Sequence, residues 1–290
     1  MSASAKGPVQ SMQASVSPVS SDGRDLLIVP LSGYGPKPPL FLIHGVDGGL
    51  RHLGSLADSL RLDRQVYGIR SYVLAGRPVS LTTVQEIARF YLAEIRKVQP
   101  AGPYYFIGFS FGGFVAYEMA QDLHQAGEEV AMLGMIDSLI MGSAAASGQA
   151  AAPAGPARGS SSTLMAHFKK TLSPSGLSYA RDKIIRRAFR LAYVGLEKLR
   201  RPIPLFLQRA EDVNWYAGVR YVPGPCSSKL TLFFSNESIE DGRAQLEFWQ
   251  SLARGGAEVR PIEGPHDDLM WQPGVNLLAR QIEDALDRVP

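Results

Sequence analysis

Cysteine, net charge and long apolar runs are all scarce in this chain of 290 residues. The single cysteine excludes a framework of disulfide bonds and any zinc or iron–sulfur site that needs several cysteines. Lysine and arginine number 30 against 27 aspartates and glutamates, and a formal net charge of +3 gives no general reason to expect a nucleic-acid partner. No apolar run approaches the roughly 18–20 residues of a membrane-spanning helix. We therefore expect neither nucleic acid nor membrane among its partners.

The N-terminal residues differ in composition from the rest of the chain. Residues 1–24 are rich in serine, alanine, glutamine and glycine, so they bury too little apolar surface to offset the entropy of ordering. They also lack the basic-then-apolar pattern of a secretory signal peptide. We predict a flexible tail or linker over 1–24, one folded domain over 25–290 and a cytoplasmic location.

Short apolar runs and amphipathic stretches alternate along the predicted domain. Buried strands are predicted over 26–31, 40–43, 65–69, 104–107, 130–136, 229–234 and 258–262. Helices are predicted over 52–62, 83–98, 112–126, 242–253 and 275–288, and Thr83 with Glu86 has the spacing of a capping box. Because strands that are apolar throughout alternate with helices, the pattern indicates an α/β fold whose mostly parallel central sheet carries helices on both faces.

The alternation of strands and helices breaks in a long internal segment. Residues 143–162 are a low-complexity stretch of alanine, glycine, serine and proline, which is too long for an ordinary connection. Residues 179–201 then predict an amphipathic helix with many basic side chains. We interpret about 141–225 as an insertion between two strands of the sheet.

The sequence Gly108-Phe109-Ser110-Phe111-Gly112 joins a predicted buried strand to a predicted helix. A G-x-S-x-G pattern in this setting is typical of a nucleophile elbow, in which a serine occupies a sharp, strained turn. The glycines allow the strand and helix backbones to approach each other closely. The turn places Ser110 at a helix N-terminus, where free N–H groups favour a developing oxyanion. Ser110 is therefore the candidate nucleophile.

A nucleophilic serine needs a base, and His266 is the candidate. In this architecture the base comes last in chain order, and His266 follows the last predicted strand. His44 ends the first central strand, where it shapes a loop rather than transfers protons. The backbone N–H groups of Val46 and Phe111 are the natural oxyanion pair. The other histidines, which lie on predicted helices or in the insertion, are less well placed: His52, His124 and His167.

The acid that orients the base has more than one candidate. Asp137 directly follows the strand predicted over 130–136, at the end of a strand where active-site groups gather. Asn236, Glu237 and Asp241 follow the next strand, where many serine hydrolases carry their acid. Position alone favours Asp137 only modestly over Asp241.

Five segments in this order resemble a known family. They are Pro39-Leu-Phe-Leu-Ile-His-Gly45, Pro103-Tyr-Tyr-Phe-Ile-Gly-Phe-Ser-Phe-Gly-Gly113, Gly134-Met-Ile-Asp-Ser138, Leu230-Thr-Leu-Phe233 and Gly264-Pro-His-Asp-Asp268. The chain is similar, over about 26–286 apart from the insertion, to the thioesterase domains that terminate polyketide synthases and non-ribosomal peptide synthetases. That resemblance implies an α/β-hydrolase fold with a helical lid insertion.

The resemblance also implies a reaction. Its substrate would be an acyl or peptidyl chain on the phosphopantetheine arm of a carrier protein. A Ser110–Asp137–His266 triad would release that chain through an acyl-serine intermediate, by hydrolysis or cyclisation, with Val46 and Phe111 as oxyanion donors. The chain would bind no cofactor or metal of its own.

The sequence departs from the family pattern at two points, and two alternative interpretations stay open. The low-complexity stretch makes the lid longer than is usual, and Phe109 and Phe111 stand where small or polar residues are frequent. A carboxylesterase or acyltransferase acting on free esters would share every feature of the site. The basic residues of the predicted lid helix either dock an acidic carrier protein or form a solvated face: Arg181, Arg186, Arg187 and Arg190.

Overall fold

The structure is a computed structural model, which describes residues 26–140, 187–189, 191–196, 198–199, 201–241 and 243–289. The predicted tail and the low-complexity stretch lie outside these residues. The helix predicted over 179–201 is described in part, as helical residues 187–189, 191–196 and 198, which we call the basic helix. The boundaries of the tail and of the insertion stay predictions.

Seven strands form one sheet in the order β1-β3-β2-β4-β5-β6-β7. Their bounds are Ile28–Ser32, Lys37–Ile43, Arg64–Ile69, Tyr104–Phe109, Val130–Ile136, Leu230–Ser235 and Ala257–Ile262. The pairing of β1 with β3 is antiparallel, and the pairings from β3 through β2 to β7 are parallel. The mostly parallel sheet predicted from the sequence is thereby confirmed.

Helices cover both faces of the sheet. They are α1 (Arg51–Ser59), α2 (Val84–Ile95), α3 (Phe111–Gln125), α4 (Ala210–Val219), α5 (Asn236–Asp241), α6 (Arg243–Leu252) and α7 (Gly274–Asp287). One apolar core lies under α2, α3, α4 and α6, and the other lies under α1 and α7. Phe41 belongs to the first core and its neighbours Leu40 and Leu42 to the second, as alternation along a strand requires.

Local sequence signals account for two of the helix ends. The Thr83 hydroxyl accepts from the N–H of Glu86, and the Glu86 carboxylate accepts from the N–H of Thr83, which completes the predicted capping box. Helix α3 is followed by Gly127 in a left-handed conformation (φ 74°). Helix α1 ends three residues earlier than predicted, because Leu60 is extended (φ −76°, ψ 131°).

Two helices were not predicted. Helix α5 has only six residues and no apolar period to reveal it. Helix α4 lacks a clear apolar period in the sequence, because its buried face includes the polar side chain of Asn214 among apolar ones. None of the helices in the described part of the chain is long and apolar enough to cross a membrane.

Candidate active site

Three of the predicted site residues lie where strands end at one edge of the sheet. Ser110 directly follows β4, Asp137 directly follows β5, and His266 opens a short 3-10 helix after β7. Phe109 pairs with Ile136, so β4 and β5 finish level with each other. Because parallel strands present their carboxyl ends to the same edge, the fold places these three residues along one edge of the sheet.

The turn at Ser110 is strained and tightly packed. Ser110 has φ 51° and ψ −116°, which an L-residue with a side chain rarely adopts. Its N–H donates to the carbonyl of Ile136 at 2.8 Å, which ties the turn to the end of β5. A β-carbon on Gly112 would collide with the backbone carbonyls of Ile43 and His44, so glycine is required there. The surrounding backbone therefore holds the serine in its strained conformation.

Asp137 is fully buried, and its carboxylate accepts three hydrogen bonds. Oδ1 accepts from the backbone N–H of Ser235 at 3.0 Å, and Oδ2 accepts from the hydroxyl of Ser238 at 2.9 Å. Oδ2 also lies 2.9 Å from Nδ1 of His266. Burial by itself raises the pKa of Asp137, but the hydrogen bonds from His266, Ser235 and Ser238 outweigh it and hold the pKa below its usual value. The carboxylate is therefore ionised at neutral pH.

This lowered pKa also links the site to stability. The usual pKa of an aspartate in an unfolded chain is about 3.9. Because the folded value of Asp137 is lower, its ionised form stabilises the fold above that pH. The contribution is lost as the pH falls through the folded pKa. The hydrogen bonds that orient the acid thus also stabilise this edge of the sheet.

His266 is held on two sides. A carboxylate only accepts hydrogen bonds, so the bond to Asp137 places the hydrogen of the ring on Nδ1 and leaves Nε2 as the basic nitrogen. The ring of Phe109 stacks on the imidazole, with the ring centroids 5.4 Å apart and the planes inclined by 16°. The side chain of His266 is 35% exposed, which leaves it open to a reacting group. Phe109, whose effect on the site was open from the sequence, is thus a packing surface for the imidazole.

A second layer of aromatic rings packs around Phe109. His52 of α1 meets the ring of Phe109 edge-on at 5.8 Å and that of Trp271 at 4.9 Å. His52 is therefore a packing residue behind the site, in keeping with the sequence-based choice of another histidine as base.

His44 is a structural histidine at the end of β2. It is fully buried, and burial, although partly opposed by a bond to the Gly45 carbonyl, lowers its pKa to about 4. Nδ1 donates to that carbonyl at 2.7 Å, so Nε2 is the acceptor for the hydroxyl of Tyr91 at 2.7 Å. Both nitrogens are therefore occupied, and neutral His44 fixes the start of the loop that carries Val46.

The other candidates bind another residue, are exposed or are not described. His124 pairs with the hydroxyl of Ser228 at 2.6 Å, and His167 lies outside the described residues. Asn236 and Glu237 are exposed at the start of α5, and the side chain of Asp241 is not described. Asp137 is the carboxylate that contacts His266. Sequence reasoning missed Ser235 and Ser238, although their place at the end of β6, the strand beside β5, was a usable signal.

The sequence matches the Thioesterase domain family over residues 38–286, which is most of the chain. The chain belongs to that family. Membership implies a hydrolase with a serine nucleophile.

Within the described residues, no group of three or more His, Cys, Asp or Glu side chains is placed to hold a metal ion.

Known relatives of this thioesterase domain are much longer proteins. Malpibaldin synthetase of Mortierella alpina is 40% identical over 273 residues, which is 93% of this chain and 4% of the synthetase. A dimodular nonribosomal peptide synthase of Bacillus subtilis (strain 168) is 37% identical over 112 residues, 39% of this chain and 5% of the synthase. The chain thus spans only a small part of the relatives it matches.

Solved structures show the same fold. The thioesterase domain matches a four-domain nonribosomal peptide synthetase, holo-AB3403, with a TM-score of 0.67 and 24% identity over 93% of this chain and 21% of that one. It matches the NocB thioesterase domain, in covalent complex with a fluorophosphonate nocardicin G analogue, with a TM-score of 0.59 and 22% identity over 87% of this chain and 96% of that one. These likenesses confirm the fold class expected from the resemblance, a mostly parallel sheet with helices on both faces, while the helical lid stays a prediction.

The contact between Asp137 and His266 generates a testable prediction. We expect Asp137→Asn to lower turnover of a pantetheine thioester by roughly 10⁴-fold, because an amide would favour the wrong tautomer of the base. The matched control is Asp241→Asn, the competing carboxylate, which should leave turnover near that of the wild type. Steady-state rates of the two folded variants show which carboxylate orients His266. A large loss of turnover in Asp241→Asn alone would assign that role to Asp241.

Proposed function

We propose that this thioesterase domain releases an acyl or peptidyl chain from the phosphopantetheine arm of a carrier protein, through an acyl-serine intermediate. One observation carries the proposal: a buried, ionised Asp137 binds His266 at the edge of the sheet where the strained Ser110 also lies, in a chain of the Thioesterase domain family. Ser110 is the nucleophile, His266 the base and Asp137 the group that orients the base. The thioester would be brought by the carrier, so the reaction needs no cofactor bound to this chain.

The first half-reaction acylates the serine. Nε2 of His266 takes the proton of the Ser110 hydroxyl while Oγ attacks the thioester carbonyl carbon. The negative charge that forms on the carbonyl oxygen is stabilised by the N–H groups of Val46 and Phe111. Phe111 is the first residue of α3, where backbone N–H groups have no partner within the helix and the helix dipole favours an anion. The tetrahedral intermediate then collapses, and the C–S bond breaks.

The leaving group is the thiolate of the phosphopantetheine arm, which receives the proton from His266. A thiol has a pKa of about 8.5, so its departure needs less help from an acid than the departure of an amine would. The product on the enzyme is an ester between Ser110 and the acyl chain.

The second half-reaction regenerates the serine. A water molecule, or a hydroxyl or amine within the acyl chain itself, gives its proton to Nε2 of His266 and attacks the ester carbonyl. The same two N–H groups stabilise the second oxyanion. Collapse returns the proton to Oγ of Ser110 and releases a free acid in the first case and a ring in the second.

The basic helix supplies a docking surface for the carrier in this proposal. Its Tyr193 donates from its hydroxyl to the carbonyl of Leu207 at 2.8 Å and meets Tyr216 of α4 edge-on at 5.4 Å. The helix is therefore packed against α4, with the side chain of Arg187 exposed. Arg181, Arg186 and Arg190, which complete the predicted basic cluster, lie outside the described residues. An acidic carrier protein would be attracted to such a cluster by long-range electrostatics.

A comparison of two small substrates tests the proposed activity. We expect an acyl-pantetheine thioester to be turned over with a kcat/KM at least about tenfold above that of the oxyester with the same acyl group, a difference of about 1.4 kcal/mol in transition-state stabilisation. The control is Ser110→Ala, which should abolish turnover of both. A clear preference for the oxyester would favour instead a carboxylesterase or acyltransferase acting on free esters.

Charge reversal tests the proposed carrier surface. We expect Arg186→Glu combined with Arg187→Glu to lower kcat/KM for a carrier-bound acyl chain by about tenfold at low salt, because steering by opposite charges is lost. Turnover of the small pantetheine thioester should not change. The matched control reverses two exposed arginines elsewhere, Arg243→Glu with Arg254→Glu. Equal losses on both substrates would contradict docking at the basic helix.

A further inference from the structure

Helix α4 packs on the loop that carries the proposed oxyanion donor Val46. Asn214 is fully buried on this helix, and its Nδ2 donates to the backbone carbonyl of Val46 at 3.0 Å. One helical turn earlier, the β-carbon of Ala210 would lie only 2.9 Å from a β-carbon built on Gly48, which has φ 77°. Residues four apart share a helix face, so one face of α4 contacts the loop at two points.

The orientation of the Asn214 amide follows from its partner. A backbone carbonyl only accepts hydrogen bonds, so the NH2 group and not the oxygen of Asn214 must face Val46. This bond restrains the peptide unit between Val46 and Asp47. The N–H of Val46 belongs to the preceding peptide unit, between Gly45 and Val46. The two units meet at the Cα of Val46, so a restraint on the carbonyl also limits the directions that the N–H can take.

Other contacts fix the rest of the loop from within the core domain. The N–H of Gly48 donates to the carbonyl of Gly45 at 3.1 Å, which closes a turn around Val46. The carbonyl of Gly48 accepts from the N–H of Ser71 at 2.9 Å, which fixes the far side of that turn. The carbonyl of Val46 is instead held by a helix that lies in the long segment between β5 and β6.

We infer that Asn214 is a positioning residue for the oxyanion hole: through the Val46 carbonyl it restrains the backbone of Val46, so that the N–H of Val46 faces the carbonyl oxygen of the bound thioester. Asn214 acts through Val46 and touches no reacting atom. The inference rests on the proposed function, because it needs Val46 as an oxyanion donor. Through the bond from Asn214, helix α4 contributes to the stabilisation of the transition state.

The expected size of the effect follows from what an oxyanion donor contributes. Removal of one such donor outright costs about 10²–10³-fold in kcat. Loss of Asn214 leaves the Val46 N–H in place but releases its restraint, so the loss should be smaller. We expect a reduction of kcat by about 10- to 100-fold, with KM for a small pantetheine thioester unchanged within about twofold, because the ground state does not depend on the oxyanion contact.

Two substitutions of Asn214 and one control test this inference in the full chain. Asn214→Asp keeps the shape but sets an acceptor against the carbonyl, and Asn214→Leu keeps the approximate volume and removes the donor. Both should show the loss of kcat at unchanged KM. The control is Val213→Ala, which removes buried apolar atoms from the neighbouring position of α4 and keeps the Asn214 amide. It should lower the melting temperature while leaving kcat as in the wild type.

Each rate is divided by the concentration of active sites, which is measured by complete reaction with a fluorophosphonate probe. The kcat of a variant that folds only in part can then still be compared with that of the wild type. If Asn214→Asp does not fold, Asn214→Leu decides by the same criterion. A kcat within about twofold of the wild type in the folded Asn214 variants would overturn the inference and leave the proposed function standing. So would an equal loss of kcat in Val213→Ala. A wild-type chain with no thioester turnover would overturn both.

Discussion

The buried carboxylate of Asp137 is the interaction on which the candidate site depends. It joins three separate pieces of the chain: the end of β5, the Ser235–Ser238 segment at the end of β6, and His266 after β7. A fully buried charge is costly unless hydrogen bonds satisfy it, and here they outweigh the cost and hold the pKa low. The same bonds that keep the carboxylate ionised also fix the tautomer of the imidazole.

The backbone conformation fixes the positions of Ser110 and Asp137 in the candidate site. Ser110 and Asp137 are the two residues other than glycine with positive φ in the described part of the chain, and each follows a central strand of the sheet. They are linked through β5, because the Ser110 N–H donates to the carbonyl of Ile136. Strain at such positions persists only where the surrounding structure determines it. The level ends of β4 and β5 and the close packing around Gly112 meet that condition.

Much of this arrangement is readable from local sequence. Apolar runs identify the strands, and G-x-S-x-G with a following helix identifies the turn at Ser110, because both are short-range patterns. The partner of His266 is harder to predict from the sequence, since Asp137 is 129 residues away and only the sheet order brings the two together. Ser238 could be suspected only from its place near the end of a strand, because its partner is a distant carboxylate. Asn214 could not be found at all, because its role depends on which backbone atom a distant segment presents to it. Sequence patterns thus predict elements well and contacts between elements poorly.

The site of covalent acylation tests the central claim most directly. The chain is incubated with an acyl-pantetheine thioester, quenched in acid and measured by intact-mass and peptide mass spectrometry. The account predicts one acyl group per chain, located on Ser110, absent from Ser110→Ala and retained in Ser138→Ala, which changes a buried serine beside the elbow. Acylation of the Ser110→Ala variant to the same extent as the wild type would contradict it.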